Sequence, residues 1–193
     1  MASIFAISPF RYFTILLFDM RFYAVDVETA NSDQGSICQI GVGVFEDGLL
    51  IDAWKTYVDP EAYFHWQNVR VHGISREDVE EAPTFPEVYD DLRLMFENNI
   101  VVHHSPFDRT AFRKAFERYS LEPYEVKWLD SVKVARRAFG NGCLEGGYNL
   151  ANLAAYLDID FQHHDALEDA IAAGKIVVYA MQRCGMGVEE FLR

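Results

Sequence analysis

A chain of 193 residues, half of them apolar, is long enough to bury a core and short enough that one compact domain is the expectation. Its formal net charge of −13 argues against tight, sequence-independent binding of a polyanion, since such binding rests on Lys and Arg releasing counterions; a nucleic-acid substrate would need cations to offset the acidity locally. The three cysteines, Cys38, Cys143 and Cys184, are odd in number and sit in no Cys/His ligand spacing, which disfavours zinc and points to a reducing, cytoplasmic setting.

Residues 4–18 are apolar, but Pro9 and Arg11 interrupt them and they fall short of the about 20 residues of a membrane span. No basic segment precedes them, and a signal cut after Ala24 would remove part of the next strand. Residues 1–19 are therefore read as an extension ahead of a natural beginning at Met20, with one domain over 20–193. Strands are expected over 21–27, 37–46 and 49–58, the last two joined by the hairpin turn Glu46-Asp47-Gly48. Beyond this antiparallel meander the pattern alternates. It predicts a helix over 84–97, a strand over 100–103, a helix over 106–119, a strand over 126–130, and helices over 131–138, 149–157 and 165–183. A mixed sheet covered by helices, an α/β fold, follows from that alternation.

Asp26 and Glu28 lie two apart on the first strand, so they point to one side while Val25 and Val27 point to the other. A strand end frayed into solvent explains that pair as well as metal binding does. Ser105-Pro106 starts a helix as N-cap and first-turn proline, and Asp108 heads its apolar stripe of Ala111, Phe112, Ala115, Phe116 and Tyr119. A helix dipole alone accounts for an acid there. Asp169 interrupts a second stripe, Ala166, Ala173, Ile176, Val177 and Ala180, on a helix that Asp165 and Glu168 cap, leaving His164 in the preceding loop. Three segments thus each place carboxylate on an apolar surface. A divalent cation with oxygen ligands, magnesium or manganese, resolves that clustering.

Asp26-Val27-Glu28-Thr29, His103-His104-Ser105-Pro106-Phe107-Asp108 and His164-Asp165-Ala166-Leu167-Glu168-Asp169-Ala170 resemble, in order and separation, the three motifs of the DEDDh (DnaQ-like) 3′–5′ exonuclease family. The resemblance runs from Met20 to Met181. His72-Gly73-Ile74-Ser75 with Ala82-Pro83-Thr84-Phe85 is similar to the family's substrate-side segment, and Asp130 and Asn149-Leu150 resemble further landmarks. Two features depart from it. His104 stands where the family usually carries Asn, and the chain ends at Arg193 without the long tail of the family's proofreading subunit, so a free-standing nuclease is expected ahead of a dedicated proofreading role, with polymerase association possible but not indicated.

The resemblance implies a ribonuclease H-like fold, a mixed five-stranded sheet flanked by helices, and two-metal hydrolysis with the ions about 4 Å apart across the scissile phosphate. It implies that Asp26 bridges both ions, that Glu28 and Asp169 serve the ion on the side of the attacking water, that Asp108 holds the other, and that His164 takes the proton. It further implies that Thr29 and His72, with Gln67 beside them, contact the terminal nucleotide of a strand with a free 3′ end. DNA is the expected substrate, with an RNA-trimming enzyme of the same family and a non-catalytic binding module as the alternatives. Lys133, Arg136 and Arg137, and the shorter row Arg109 and Arg113, are readable as phosphate contacts or as plain solvated helix faces.

Overall fold

A computed structural model describes residues 21–140 and 146–193; the expectations for residues 1–19, Met20 and Cys143 lie outside them. The meander is present as β1 (Arg21–Thr29), β2 (Ile37–Glu46) and β3 (Leu49–Tyr57), antiparallel throughout. Asp47 and Gly48, with φ of 52° and 78°, form the tight turn between β2 and β3, a conformation that suits Asp-Gly in a two-residue hairpin. Helices α1 (Trp66–His72), α2 (Arg76–Val79) and α3 (Phe85–Phe96) follow, then β4 (Ile100–His103), α4 (Pro106–Tyr119), β5 (Lys127–Asp130), α5 (Ser131–Phe139), α6 (Leu150–Leu157), α7 (Ala166–Cys184) and a 3-10 turn (Val188–Leu192). The five strands lie in the order β3-β2-β1-β4-β5, with β4 and β5 parallel to β1. This is the mixed α/β sheet expected from the alternation.

Two helices, α1 and α2, and the 3-10 turn have no counterpart in the sequence reading. None of the α1 residues is buried, and α2 is only four residues long, so neither carries an apolar stripe to betray it. Gly73, at φ 78°, ends α1 in the left-handed conformation.

β1 is covered on both faces, which is why it reads as an almost continuous apolar run. Phe22 and Ala24 join the core built by α5, α6 and α7, whereas Tyr23, Val25 and Val27 join the core under α3 and α4. The second core is aromatic: Phe85, Phe96 and Phe112 are at most 1 % exposed and meet edge to face at 5.8–6.0 Å. Each such ring contributes about 1.5–3 kcal/mol by leaving water. No helix among the described residues is long and apolar enough to cross a membrane.

Candidate active site

Asp26 and Glu28 continue the Phe22–Ala24 row beyond the apolar core, so the face that packs on α7 ends in two carboxylates. α7 is brought onto that end by β2. Gly41 pairs with Asp26, and a Cβ at Gly41 would fall 2.2 Å from the Leu167 nitrogen; only the missing side chain lets the first turn of α7 rest on the strand. Beside it Gln39, paired with Glu28, accepts the Ala166 N–H at 3.0 Å. Asp165 caps the helix by accepting the N–H groups of Leu167 and Glu168 at 3.1 and 3.3 Å, and Lys55 of β3 pairs with it at 2.9 Å. Asp169, one turn further on and 4 % exposed, then faces the strand end, and oxygens of Asp26, Glu28 and Asp169 all lie within 4.8 Å of one another.

Asp108 arrives from the other side. β1 outruns its pairing with β4, which stops at Ala24↔Val102, and the Val27 N–H left over donates to Asp108 Oδ1 at 3.2 Å. Ser105, at φ 97°, and Pro106 turn the chain from β4 into α4 and put Asp108 in its first turn. The family-atypical His104 links β4 to α5 through Nδ1 and the Ser131 hydroxyl at 2.8 Å, and its burial pushes its pKa down to about 4, so it is neutral.

Four acids this close repel one another. Burial, then Asp108, Asp169 and Glu28, holds Asp26 well above the usual carboxylate range. Burial, followed by Asp169 and Asp108, raises Glu28 to about 8. Asp108 is raised to about 7 by burial, against the opposing pull of the Val27 N–H. Asp169 is also raised by burial, while His163 draws it down. Oxygen donors whose own charges oppose each other are the donor set that a hard divalent cation stabilises. The residues fit a cation.

The loop before α7 turns at His164, φ 69°. Its backbone N–H donates to Asp169 Oδ2 at 3.2 Å, and its exposed imidazole stacks on His163 with centroids 4.0 Å apart. The ring that meets Asp169 is that of His163, whose Nδ1 lies 3.0 and 3.2 Å from the two carboxylate oxygens. Burial and the neighbouring His163 lower the pKa of His164.

Thr29 closes β1 at 5 % exposure. The carbonyl of Thr29 accepts from Asn68 Nδ2 at 2.9 Å and from His72 Nε2 at 3.2 Å, and His72 Nδ1 accepts the Ile74 N–H at 3.0 Å. Both ring nitrogens of His72 are thus engaged by backbone, and burial lowers its pKa. Gln67 is exposed on α1; its neighbour Asn68 is the residue that reaches Thr29. Sequence reading missed Asn68 because it missed α1, and it missed Gly41 because nothing local marks a glycine as a seat for a helix.

A family model described as exonuclease, RNase_T, matches residues 23–177. The PolC-type DNA polymerase III of Oceanobacillus iheyensis is 26% identical over 171 residues, which are 86% of this chain and 12% of that protein. The DNA polymerase III subunit epsilon of Rickettsia conorii is 28% identical over 174 residues, covering 84% of this chain and 74% of that one. The chain spans only 11–18% of the length of the first curated relatives it matches. Among solved structures, Exonuclease X in complex with 5′ overhanging duplex DNA shares the fold with a TM-score of 0.69 at 22% identity, over 88% of this chain and 96% of that one. With its strand-end carboxylates inside the matched residues, the chain belongs to the exonuclease family.

Proposed function

We propose that the protein is a metal-dependent 3′–5′ exonuclease that removes nucleoside 5′-monophosphates from a nucleic-acid end, with DNA as its substrate. The observation that carries this is the meeting of Asp26, Glu28 and Asp169 oxygens within 4.8 Å, with Asp108 close enough to raise the pKa of both strand carboxylates. Asp26, Glu28, Asp169 and Asp108 would hold two Mg²⁺ or Mn²⁺ ions. Such cations supply charge for the phosphoryl oxygens and acidify the attacking water.

The remaining work falls to the chain's own groups. His164, its pKa lowered and its ring exposed at the turn before α7, accepts the proton of the attacking water as general base. Thr29, its carbonyl held by Asn68 and His72, supports the terminal nucleotide at the end of β1, with His72 behind it and Gln67 on the exposed face of α1. A cytoplasmic setting and an exonuclease domain over residues 20–193 are part of the same reading.

The test is digestion of end-labelled single-stranded DNA, duplex DNA and short RNA, side by side with Mg²⁺. Stepwise shortening from the 3′ end, blocked by EDTA and by a 3′-phosphate, is expected, with DNA the fastest substrate. Cutting of circular single strands, or full activity in excess EDTA, would sink the proposal; RNA degraded faster than DNA would move the enzyme to RNA trimming.

A further inference from the structure

A cleft of about 400 Å³ lies between the first turn of α4, the end of β5, α5 and the 3-10 turn. Arg109, Lys133 and Arg137 line it, with His103, Trp128 and Phe191 as its floor and wall. The chain as a whole carries a net −13, so four cationic side chains on one concave surface, Arg193 with these three, run against its average. Among the described residues, the Lys and Arg ion pairs with acids use Lys55, Arg76, Arg93, Arg113 and Arg118, and none uses these four.

Their surroundings offset only part of that charge, since one acid faces four cations. Asp130, the acid that lines the cleft, spends its Oδ1 capping α5, accepting from Val132 and Lys133 backbone N–H groups at 2.9 and 3.3 Å. Arg137 is held by uncharged partners: it donates to the Glu190 carbonyl at 2.8 Å and lies 5.2 Å over the Phe191 ring. It is therefore pre-positioned and still able to attract an anion.

The cleft adjoins the candidate catalytic acids through two covalent steps. Arg109 follows Asp108 in the first turn of α4, and His103, paired with Asp130 across β4 and β5, leads directly into the His104–Ser105 turn. A strand with its terminus among the carboxylates has a cationic surface next along α4.

Resting on the exonuclease reading above, we infer that this cleft is a subsite for backbone phosphates on the 5′ side of the bond being cut, with Arg109, Lys133 and Arg137 as phosphate ligands. Contacts of this kind position a strand without reading its bases. They predict length dependence, since a dinucleotide engages the acids alone while a longer strand also reaches the cleft.

The experiment uses the full chain and its Arg109→Ala/Lys133→Ala variant, two exposed positions whose loss leaves the cores intact. Kinetics are measured on a dinucleotide and an octanucleotide of single-stranded DNA, and binding of the octanucleotide is followed by anisotropy in EDTA from 50 to 200 mM salt. The variant is expected to raise KM for the octanucleotide about tenfold, to leave the dinucleotide and kcat unchanged, and to flatten the log–log salt slope by about 1.4 for two lost phosphate contacts. Equal losses on both lengths would place these residues in the catalytic centre, and an unchanged salt slope would make them a solvated face; either result overturns the subsite. Should the protein bind with that slope but hydrolyse no strand, the exonuclease reading fails and the cleft stands; normal hydrolysis with an unchanged slope is the reverse.

Discussion

Asp26 and Gly41 face each other across β1 and β2, and the absent side chain of Gly41 is what brings Asp169 to Asp26. The first turn of α7 rests on the bare backbone of β2, where a Cβ would fall 2.2 Å from the Leu167 nitrogen and 2.4 Å from the Ala166 carbonyl oxygen. Gly41→Ala is therefore expected to push α7 outward, costing about 1–3 kcal/mol of stability by overpacking. Because Asp169 moves with the helix, the metal concentration for half-maximal activity should rise and kcat should fall. A variant with wild-type kinetics would show that α7 does not set the carboxylate spacing.

Neutralising the acids separates function from stability. Asp26→Asn, Glu28→Gln, Asp108→Asn and Asp169→Asn should each nearly abolish turnover. In EDTA above about pH 8, where the wild-type acids are ionised, the same variants should melt no lower than wild type, because each removes a charge that its neighbours oppose. Wild-type rates in any two of them would remove the carboxylates from the mechanism.

The metal-free protein should lose stability as pH rises. Glu28 near 8 and Asp108 near 7 hold protons in the folded state that the unfolded chain releases near its ordinary carboxylate range, about 4. Protons bound by the folded state alone stabilise it, so this contribution is fully present below about pH 4 and is lost on rising through 7 to 8. The melting temperature in EDTA should fall over that window, Glu28→Gln should flatten the fall, and saturating Mg²⁺ should offset it. A melting temperature that climbs from pH 5 to 8 in EDTA would contradict the raised carboxylates.

His164 and His163 divide by position. As general base, His164 contributes about 10² to 10⁴ in rate, so His164→Ala should lose that much while keeping metal and substrate binding. His163 lies on both oxygens of Asp169, so His163→Ala should leave kcat near wild type and lower the metal concentration needed for activity. A dead His163 variant beside an active His164 variant would show that the register of the third motif is shifted by one.

A chain beginning at Met20 is expected to keep the kcat and melting temperature of the full chain, since every proposed site residue lies after it. A large drop in melting temperature would show that residues 1–19 pack on the domain.

Local periods were enough to place most of the frame. The two-residue alternation of β1 put Asp26 and Glu28 on one side, and the structure has them in the row of Phe22 and Ala24; the caps Ser105 and Asp165 put Asp108 and Asp169 in the first turns of α4 and α7. Those features depend on a residue's own neighbours in the chain, and so the sequence alone determines them. Tertiary structure decided the rest. That Asp169 reaches Asp26 depends on Gly41, that the ring on Asp169 belongs to His163 depends on how the loop turns at His164, and that Thr29 is held by Asn68 depends on a helix with no buried residues. The cationic cleft likewise gathers Arg109, Lys133 and Arg137 from two helices that are separate in sequence. Each is a meeting of distant segments, which no periodicity along the chain encodes.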